Sequence, residues 1–173
     1  SYIKPHWPYL APEPYASMYT ADDALPVVRN EDELRDPHPV YEAMMAHRVS
    51  QTFSQPGVRE AVMPGYMALI KQIDDELGKL FAFLDEQGLT DSTMLVFCAD
   101  HGDYLGDHWM GEKDLFHEPV IRTPLIVVDP DKRADATRGT RSSALVEAID
   151  LAPTFLDVYG GAALPHILDG RSL

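Results

Sequence analysis

The chain has 173 residues, with 14 basic and 28 acidic side chains and a formal net charge of −14. So acidic a protein repels phosphate backbones, which argues against general nucleic-acid binding. No apolar run approaches the roughly 18 residues that a membrane helix needs, and the single cysteine, Cys98, excludes an internal disulfide and a cysteine-based zinc site. We therefore expect a soluble globular protein, cytoplasmic or periplasmic, with one hydrophobic core and no membrane partner.

The first 37 residues are punctuated by proline. The prolines in this stretch are Pro5, Pro8, Pro12, Pro14, Pro26 and Pro37. Because proline lacks a backbone N–H and restricts the residue before it, we predict a long ordered loop here instead of a regular helix. Such loops are often functional. The strand-like start at Ser1 and the uncapped end at Leu173 lead us to expect a fragment of a longer protein.

Two helices are predicted next. Residues 40–53 form the first, and the Gln-Pro-Gly break at 55–57 ends it. The second follows Pro64-Gly65, because apolar residues recur there at alternating spacings of four and three and so form one stripe. These apolar residues are Tyr66, Ile70, Ile73, Leu77, Leu80 and Leu84. Gly88 provides a stop at the end of this helix.

Short apolar runs then alternate with helical patterns. Residues 93–98 and 124–128 are typical of strands buried on both faces, and residues 144–149 suggest a third. A helix is expected from about residue 150 to residue 159. The order predicts an α/β fold with a mostly parallel sheet flanked by helices. Cys98 is then a small, buried strand residue.

Polar residues are concentrated directly after the first predicted strand. Residues 99–108 read Ala-Asp-His-Gly-Asp-Tyr-Leu-Gly-Asp-His, with three carboxylates and two imidazoles. In open α/β sheets ligands bind beyond the carboxyl ends of strands, where Asp100 and His101 are expected. A carboxylate oxygen and an imidazole nitrogen are good ligands for Mn²⁺, Zn²⁺ or Ca²⁺. A polar loop that caps the next helix is the alternative.

Several segments together resemble the sulfatases of the alkaline phosphatase superfamily. Residues 98–108, with Lys113 and the Arg-Thr-Pro-Leu-Ile of residues 122–126, follow the family's order of strand, Asp-His-Gly, lysine and Arg-x-Pro-Leu. Residues 4–9, Lys-Pro-His-Trp-Pro-Tyr, match its Lys-Pro-His-x-Pro loop. Residues 73–78, 149–156 and 168–173 are similar to further landmarks. The resemblance covers nearly the whole chain and implies the carboxyl-side part of an α/β, alkaline-phosphatase-like catalytic domain.

The resemblance also implies roles for individual residues. Asp100 and His101 would be two ligands of a divalent metal ion, Ca²⁺ or Mn²⁺. Lys113 would contact sulfate or phosphoryl oxygens and offset their developing negative charge, with a solvated loop lysine as the alternative. His6 would bind or protonate the leaving-group oxygen, with a structural hydrogen bond in the proline loop as the alternative.

Two more histidines and the nucleophile complete the implied site. His108 and His117 would line the substrate pocket, although both are equally compatible with structural roles. The family's nucleophile is a formylglycine made from cysteine or serine in a C/S-x-P/A-x-R motif. Neither that motif nor the family's amino-terminal metal aspartates occur in these 173 residues. We therefore expect both of them upstream of Ser1.

The implied function is that of a metal-dependent sulfatase-type hydrolase acting on a small anionic ester. Sulfate esters and phosphonate or phosphate esters both remain open as substrates. We expect the 173 residues alone to be inactive, because two ligands hold a metal weakly and the nucleophile is lacking. Self-association is also expected, since an incomplete domain exposes apolar surface. The alternative is a non-catalytic α/β module that binds an anion or a partner; a phosphomutase or phosphodiesterase fits less well.

Overall fold

The computed structural model describes residues 1–162 and 166–173, which form two compact units, Ser1–Asp131 and Lys132–Leu173. Among these residues, no helix combines the length and hydrophobicity of a membrane span. The first unit contains helices α1 (Pro39–Ala46), α2 (Arg48–Phe53), α3 (Val58–Glu86) and α4 (Glu118–Ile121) and strands β1 (Leu95–Cys98) and β2 (Leu125–Val128). The second contains helix α5 (Leu151–Val158). Short 3₁₀ turns lie at Tyr15–Ser17, Ala21–Asp23, Glu31–Leu34, Thr90–Ser92, Asp107–Trp109, Lys132–Thr137 and Ala148–Asp150.

The proline-rich segment contains 3₁₀ turns but no α-helix, as predicted. The helix predicted over residues 40–53 is instead two helices, α1 and α2, which are separated at His47. Its backbone is extended, with φ −62° and ψ 143°, so it interrupts the helical hydrogen bonds and caps both helices. Hydrophobic spacing alone did not reveal this break, because apolar residues face the core on both sides of it.

Helix α3 begins at Val58, so the prediction that it follows Pro64-Gly65 is wrong. Gly57 precedes it with φ 81°, a conformation that suits glycine, and the helix continues through Pro64. Gly65 has no room for a side chain, because a Cβ atom there would overlap the carbonyl oxygen of Tyr9. The proline-rich segment therefore packs directly on this turn of the helix. At the other end, Gly88 with φ 65° follows the helix as expected.

The two strands lie where the sequence predicted them, but they pair differently. β1 and β2 are antiparallel, with Leu95 opposite Val128 and Cys98 opposite Leu125. In the part of the chain described here they form a two-stranded sheet, so the expected mostly parallel sheet is not observed. Their side chains are also more exposed than expected: Ile126 is 57% exposed, and Cys98 is an exposed free thiol. The apolar runs correctly predicted strands, but not their direction or burial.

The third predicted strand is absent, because residues 144–147 have no regular structure and a 3₁₀ turn follows at Ala148–Asp150. Helix α5 confirms the helix expected over residues 150–159, and Pro153 lies buried in its first turn. The Asp150 carboxylate accepts hydrogen bonds from the backbone N–H groups of Arg171 and Glu147, each at 2.9 Å. These bonds lower its pKa and hold the carboxyl-terminal segment beside the start of α5.

The core of the first unit lies in two clusters, both built around the loop that follows β1. Tyr104, Met110, Leu115 and Val120 pack against α1, and Leu105 packs with Phe53 and Met63 of α2 and α3. Gly111 lies so close to Phe53 that a Cβ atom there would be 2.6 Å from its ring. The loop carrying the candidate metal ligands is therefore held by the hydrophobic core.

The two glycines inside α3 provide a test of this packing. Gly65→Ala is expected to destabilise the protein by about 1–3 kcal/mol, because the new methyl overlaps the backbone of Tyr9. Gly78→Ala is the matched control, since nothing lies within 4 Å of the added Cβ and the helix gains up to about 1 kcal/mol. Urea unfolding measures both, and equal effects of the two substitutions would contradict the contact.

Candidate active site

Asp100 and His101 follow β1 directly and lie side by side. The His101 backbone N–H donates to Asp100 Oδ1 at 3.0 Å, and His101 Nε2 lies 3.6 Å from Asp100 Oδ2. The Asp100 side chain is 88% exposed, whereas that of His101 is 31% exposed. The polar edge of the pair therefore faces solvent.

Gly102 anchors this turn to the start of α4. Its backbone N–H donates to the carbonyl oxygen of Val120 at 2.7 Å, and any Cβ atom would overlap the carbonyl oxygen of Pro119. Only glycine fits at so close a backbone approach. The contact fixes the direction in which Asp100 and His101 leave the strand.

The donor set of this pair fits a divalent metal ion in part. His101 Nδ1 lies 2.7 Å from the carbonyl oxygen of Gly102, so its proton belongs on Nδ1 and the lone pair on Nε2 faces outward. A separation of 3.6 Å between Nε2 and a carboxylate oxygen allows both to reach one ion with bonds of about 2.0–2.6 Å. Within the described residues no cluster of three or more His, Cys, Asp or Glu side chains completes such a site.

His6 and Lys113 lie on separate loops. His6 is exposed, and its Nδ1 lies 3.0 Å from the carbonyl oxygen of Trp7. Lys113 is partly buried between Glu112 and Asp114, whose φ angles are 61° and 98°. Neither side chain hydrogen-bonds to Asp100 or His101 in the portion of the chain that the structure describes. Their predicted roles in catalysis therefore remain predictions.

The loop between His101 and α4 carries an unusual concentration of left-handed backbone. The non-glycine residues with positive φ in this loop are Leu105, His108, Trp109, Glu112 and Asp114. Each such residue costs on the order of 1 kcal/mol, and clusters of them are typical of functional sites. Here the burial of neighbouring side chains such as Tyr104 and Met110 holds the loop in this conformation.

Asp103 and Asp107, the other two aspartates of residues 99–108, are bonded internally. Asp107 forms an ion pair with Arg59 of α3 at 3.3 Å and accepts the backbone N–H of Val28 at 2.8 Å. Arg59 also donates to the carbonyl oxygens of Leu105 and Leu25, at 2.6 and 3.2 Å. These contacts tie the loop to α3 and to the proline-rich segment.

Asp103 makes a second connection to the proline-rich segment. Its Oδ2 accepts the Tyr9 hydroxyl at 2.7 Å and its Oδ1 accepts the backbone N–H of Leu105 at 3.0 Å. Burial raises the pKa of Asp103, while these hydrogen bonds act in the opposite direction. Burial and the negative charge of Asp103 also raise the pKa of Tyr9, so the phenol keeps its proton and remains a donor.

His108 and His117 are brought together, with stacked rings whose centroids are 4.1 Å apart. His108 Nδ1 lies 2.8 Å from Glu33 Oε1, and His117 Nδ1 lies 2.9 Å from the Tyr104 hydroxyl. Both Nδ1 atoms therefore have internal partners, which supports the structural alternative for these two histidines. Their predicted role in lining the substrate pocket is not tested by these contacts.

Sequence reasoning missed Glu33, Arg59 and Tyr9 as parts of this arrangement. Tyr9 lies inside the motif at residues 4–9, so its proximity to His6 was a usable signal. Glu33 and Arg59 lie 75 and 46 residues from the loop atoms that they bind. A single sequence contains no pattern that predicts such pairs.

The stacked histidines are expected to make the free energy of unfolding dependent on pH. Burial and repulsion from His108 lower the pKa of His117 below 6.5, while Glu33 partly opposes them. The pKa of His117 is lower in the folded protein than in the unfolded chain, so the unfolded chain takes up the proton first as the pH falls. The contribution of His117 to the free energy of unfolding is therefore fully present above about pH 6.5 and is lost as the pH falls through the folded pKa. His117→Gln is expected to be less stable at about pH 7.5 but to lose less stability on acidification to about pH 5.

Urea unfolding at the two pH values measures this difference. His47→Gln, which removes an exposed imidazole between α1 and α2, is the control. If His117→Gln and the wild type lose the same free energy of unfolding on acidification, the stacked pair does not cause the dependence.

The sequence and the structure of the chain were compared with those of known proteins, and both comparisons found related proteins. The sulfatase family model matches residues 1–161. The multifunctional alkaline phosphatase superfamily protein PehA of Trinickia caryophylli is 35% identical over 99% of the chain, and an arylsulfatase of Clostridium perfringens is 28% identical over 100% of it. The phosphonate monoester hydrolase SpPMH of Silicibacter pomeroyi is 31% identical over 99% of the chain, with a TM-score of 0.83.

The chain spans 35% of the length of each of these three proteins. The family match includes the loop with His6, the pair at the end of β1 and the stacked histidines. The chain belongs to the sulfatase family.

Proposed function

We propose that the chain is the carboxyl-side part of the catalytic domain of a metal-dependent hydrolase that cleaves sulfate esters or phosphonate or phosphate esters. The observation that carries the proposal is the geometry of Asp100 and His101. Of the three aspartates between residues 99 and 108, Asp100 faces solvent, whereas Asp103 and Asp107 are bonded internally. One carboxylate and one correctly oriented imidazole are thus presented together at the carboxyl end of β1.

Asp100 and His101 are the residues that would hold a divalent ion, Ca²⁺ or Mn²⁺. Such an ion supplies positive charge that stabilises anionic oxygens of the ester group. The hydrogen bond from His101 Nδ1 to the Gly102 carbonyl oxygen keeps Nε2 available as a ligand. The remaining ligands, and a formylglycine nucleophile, are proposed to lie in a part of the protein outside these 173 residues.

Lys113 and His6 have different proposed roles around the ester. Lys113 offsets negative charge on the sulfuryl or phosphoryl oxygens, because an ammonium group in a partly buried loop interacts more strongly than one in water. His6 donates a proton to the leaving-group oxygen, for which its exposed imidazole is accessible. Both actions assist departure of the alcohol.

Both ester classes are proposed as substrates, since the relatives include proteins named as an arylsulfatase and as a phosphonate monoester hydrolase. Assays with 4-nitrophenyl sulfate and 4-nitrophenyl phenylphosphonate compare the two classes with the same leaving group. A protein that hydrolyses neither ester, with or without added Ca²⁺ or Mn²⁺, would support the non-catalytic alternative.

Substitution of the paired ligands tests the metal site. In the protein expressed from its complete coding sequence, Asp100→Asn and His101→Gln are each expected to lower kcat/KM by at least about 100-fold, because metal stabilisation of the transition state is worth several kcal/mol. The metal content measured by mass spectrometry should fall in parallel. Asp91→Asn, in the 3₁₀ turn Thr90–Ser92 that precedes β1, is the control and should retain both metal and activity.

The isolated 173-residue chain provides a separate test. It is expected to show no appreciable turnover of either ester, because two ligands alone hold a metal weakly. Activity assays on rigorously purified chain, with the complete protein as the positive control, measure this. Turnover by the isolated chain that Asp100→Asn abolishes would show that the site is complete without further residues.

A further inference from the structure

We propose that the hydrogen bond from Tyr9 to Asp103 sets the position of His6 relative to Asp100 and His101, which makes Tyr9 a positioning residue. The expected effect on catalysis rests on the proposed function, in which His6 protonates the leaving group. The connection between the two loops is a property of the fold and is testable separately.

The bond joins loops that are distant in sequence but adjacent at the site. Tyr9 and Asp103 are 94 residues apart, and their oxygen atoms lie 2.7 Å apart. Asp103 lies two residues after His101, and its second oxygen is held by the backbone N–H of Leu105 at 3.0 Å. With both carboxylate oxygens bonded, Asp103 is a fixed anchor for the tyrosine.

Tyr9 is itself held against the helical part of the core. Its ring makes edge contacts with Phe53 of α2 and Tyr66 of α3, at centroid distances of 6.4 and 6.2 Å. Its carbonyl oxygen lies against Gly65, where no side chain fits. These contacts bring the tyrosine hydroxyl within reach of Asp103, and the hydrogen bond between them then joins the two loops.

The loop before Tyr9 transmits this position to His6. Lys4 Nζ donates to the carbonyl oxygens of His6 and Pro8, at 3.1 and 2.7 Å. The backbone N–H of His6 donates to the carbonyl oxygen of Ile3 at 3.2 Å. These bonds link residues 3–8 to one another, so we expect this segment to shift together with Tyr9.

The position of the His6 side chain depends on this segment, because its own contacts are with the adjacent residue. It is exposed, and its hydrogen bond within the described residues goes to the adjacent residue, Trp7, at 3.0 Å. The ring contact with Trp7, at 5.7 Å, is also local. Loss of the Tyr9–Asp103 bond is thus expected to displace His6 while the pair at the end of β1 stays in place.

Leaving-group dependence distinguishes a displaced acid from a merely less stable protein. A poor leaving group needs a proton more than a good one, so a displaced His6 slows phenyl esters more than 4-nitrophenyl esters. In the protein expressed from its complete coding sequence, Tyr9→Phe is expected to lower kcat about tenfold for phenyl esters and less than about threefold for 4-nitrophenyl esters. Metal content should be unchanged.

Tyr66→Phe is the matched control. It removes the same atom from the neighbouring ring, and the Tyr66 hydroxyl makes no hydrogen bond among the residues described by the structure. This variant is expected to keep the wild-type ratio of rates for the two leaving groups. A ratio in Tyr9→Phe equal to that in Tyr66→Phe, in an active protein, overturns the positioning role.

Hydrogen–deuterium exchange tests the connection without reference to activity. Tyr9→Phe is expected to speed exchange of amides in residues 102–106, and Asp103→Asn to speed exchange in residues 3–10, each across the loop boundary. Tyr66→Phe should do neither. If the wild type hydrolyses neither ester class, the proposed function fails. If each substitution changes exchange only in the loop that carries it, the Tyr9–Asp103 connection between the loops is overturned as well.

Discussion

The conformation of the first unit depends on the packing of the loop that follows β1, because side chains of that loop form much of the core against α1, α2 and α3. Tyr104 is fully buried and Met110 is 2% exposed. Burial of each such side chain contributes roughly 1.5–3 kcal/mol, which is enough to offset the cost of the left-handed residues between them. The core therefore holds the backbone beside Asp100 and His101 in an otherwise unfavourable shape.

Much of the fold was predictable from periodicity, since helix α5, most of α3 and both strands lie near the expected positions. The errors have specific physical causes. The sequence pattern places the start of this helix after Pro64-Gly65, but the helix continues through Pro64, and Gly65 packs closely against Tyr9. The apolar runs predict that residues 95–98 and 125–128 are strands. They do not predict whether the strands pair parallel or antiparallel, because that depends on the path of the chain between them.

The candidate site was predictable in its composition but not in its division of roles. Three aspartates and two histidines lie within ten residues, and the local sequence does not show which of them face solvent and which are bonded internally. The structure separates them through distant partners: Arg59 pairs with Asp107, Tyr9 with Asp103, and Glu33 with His108. These partners lie in α3 and at two separate places in the proline-rich segment, and only folding brings them to the loop.

This division of roles has an electrostatic consequence for an acidic protein. A net charge of −14 opposes the approach of an anionic ester, so carboxylates close to the site are unfavourable unless they are neutralised. Arg59 offsets the charge of Asp107, hydrogen bonds from Tyr9 and Leu105 stabilise the carboxylate of Asp103, and Asp100 is left with its charge exposed. A cation held by Asp100 and His101 would offset the exposed charge of Asp100. For the function proposed above, the same internal bonds that stabilise the loop would also reduce the repulsion that an anionic ester meets at this edge of the protein.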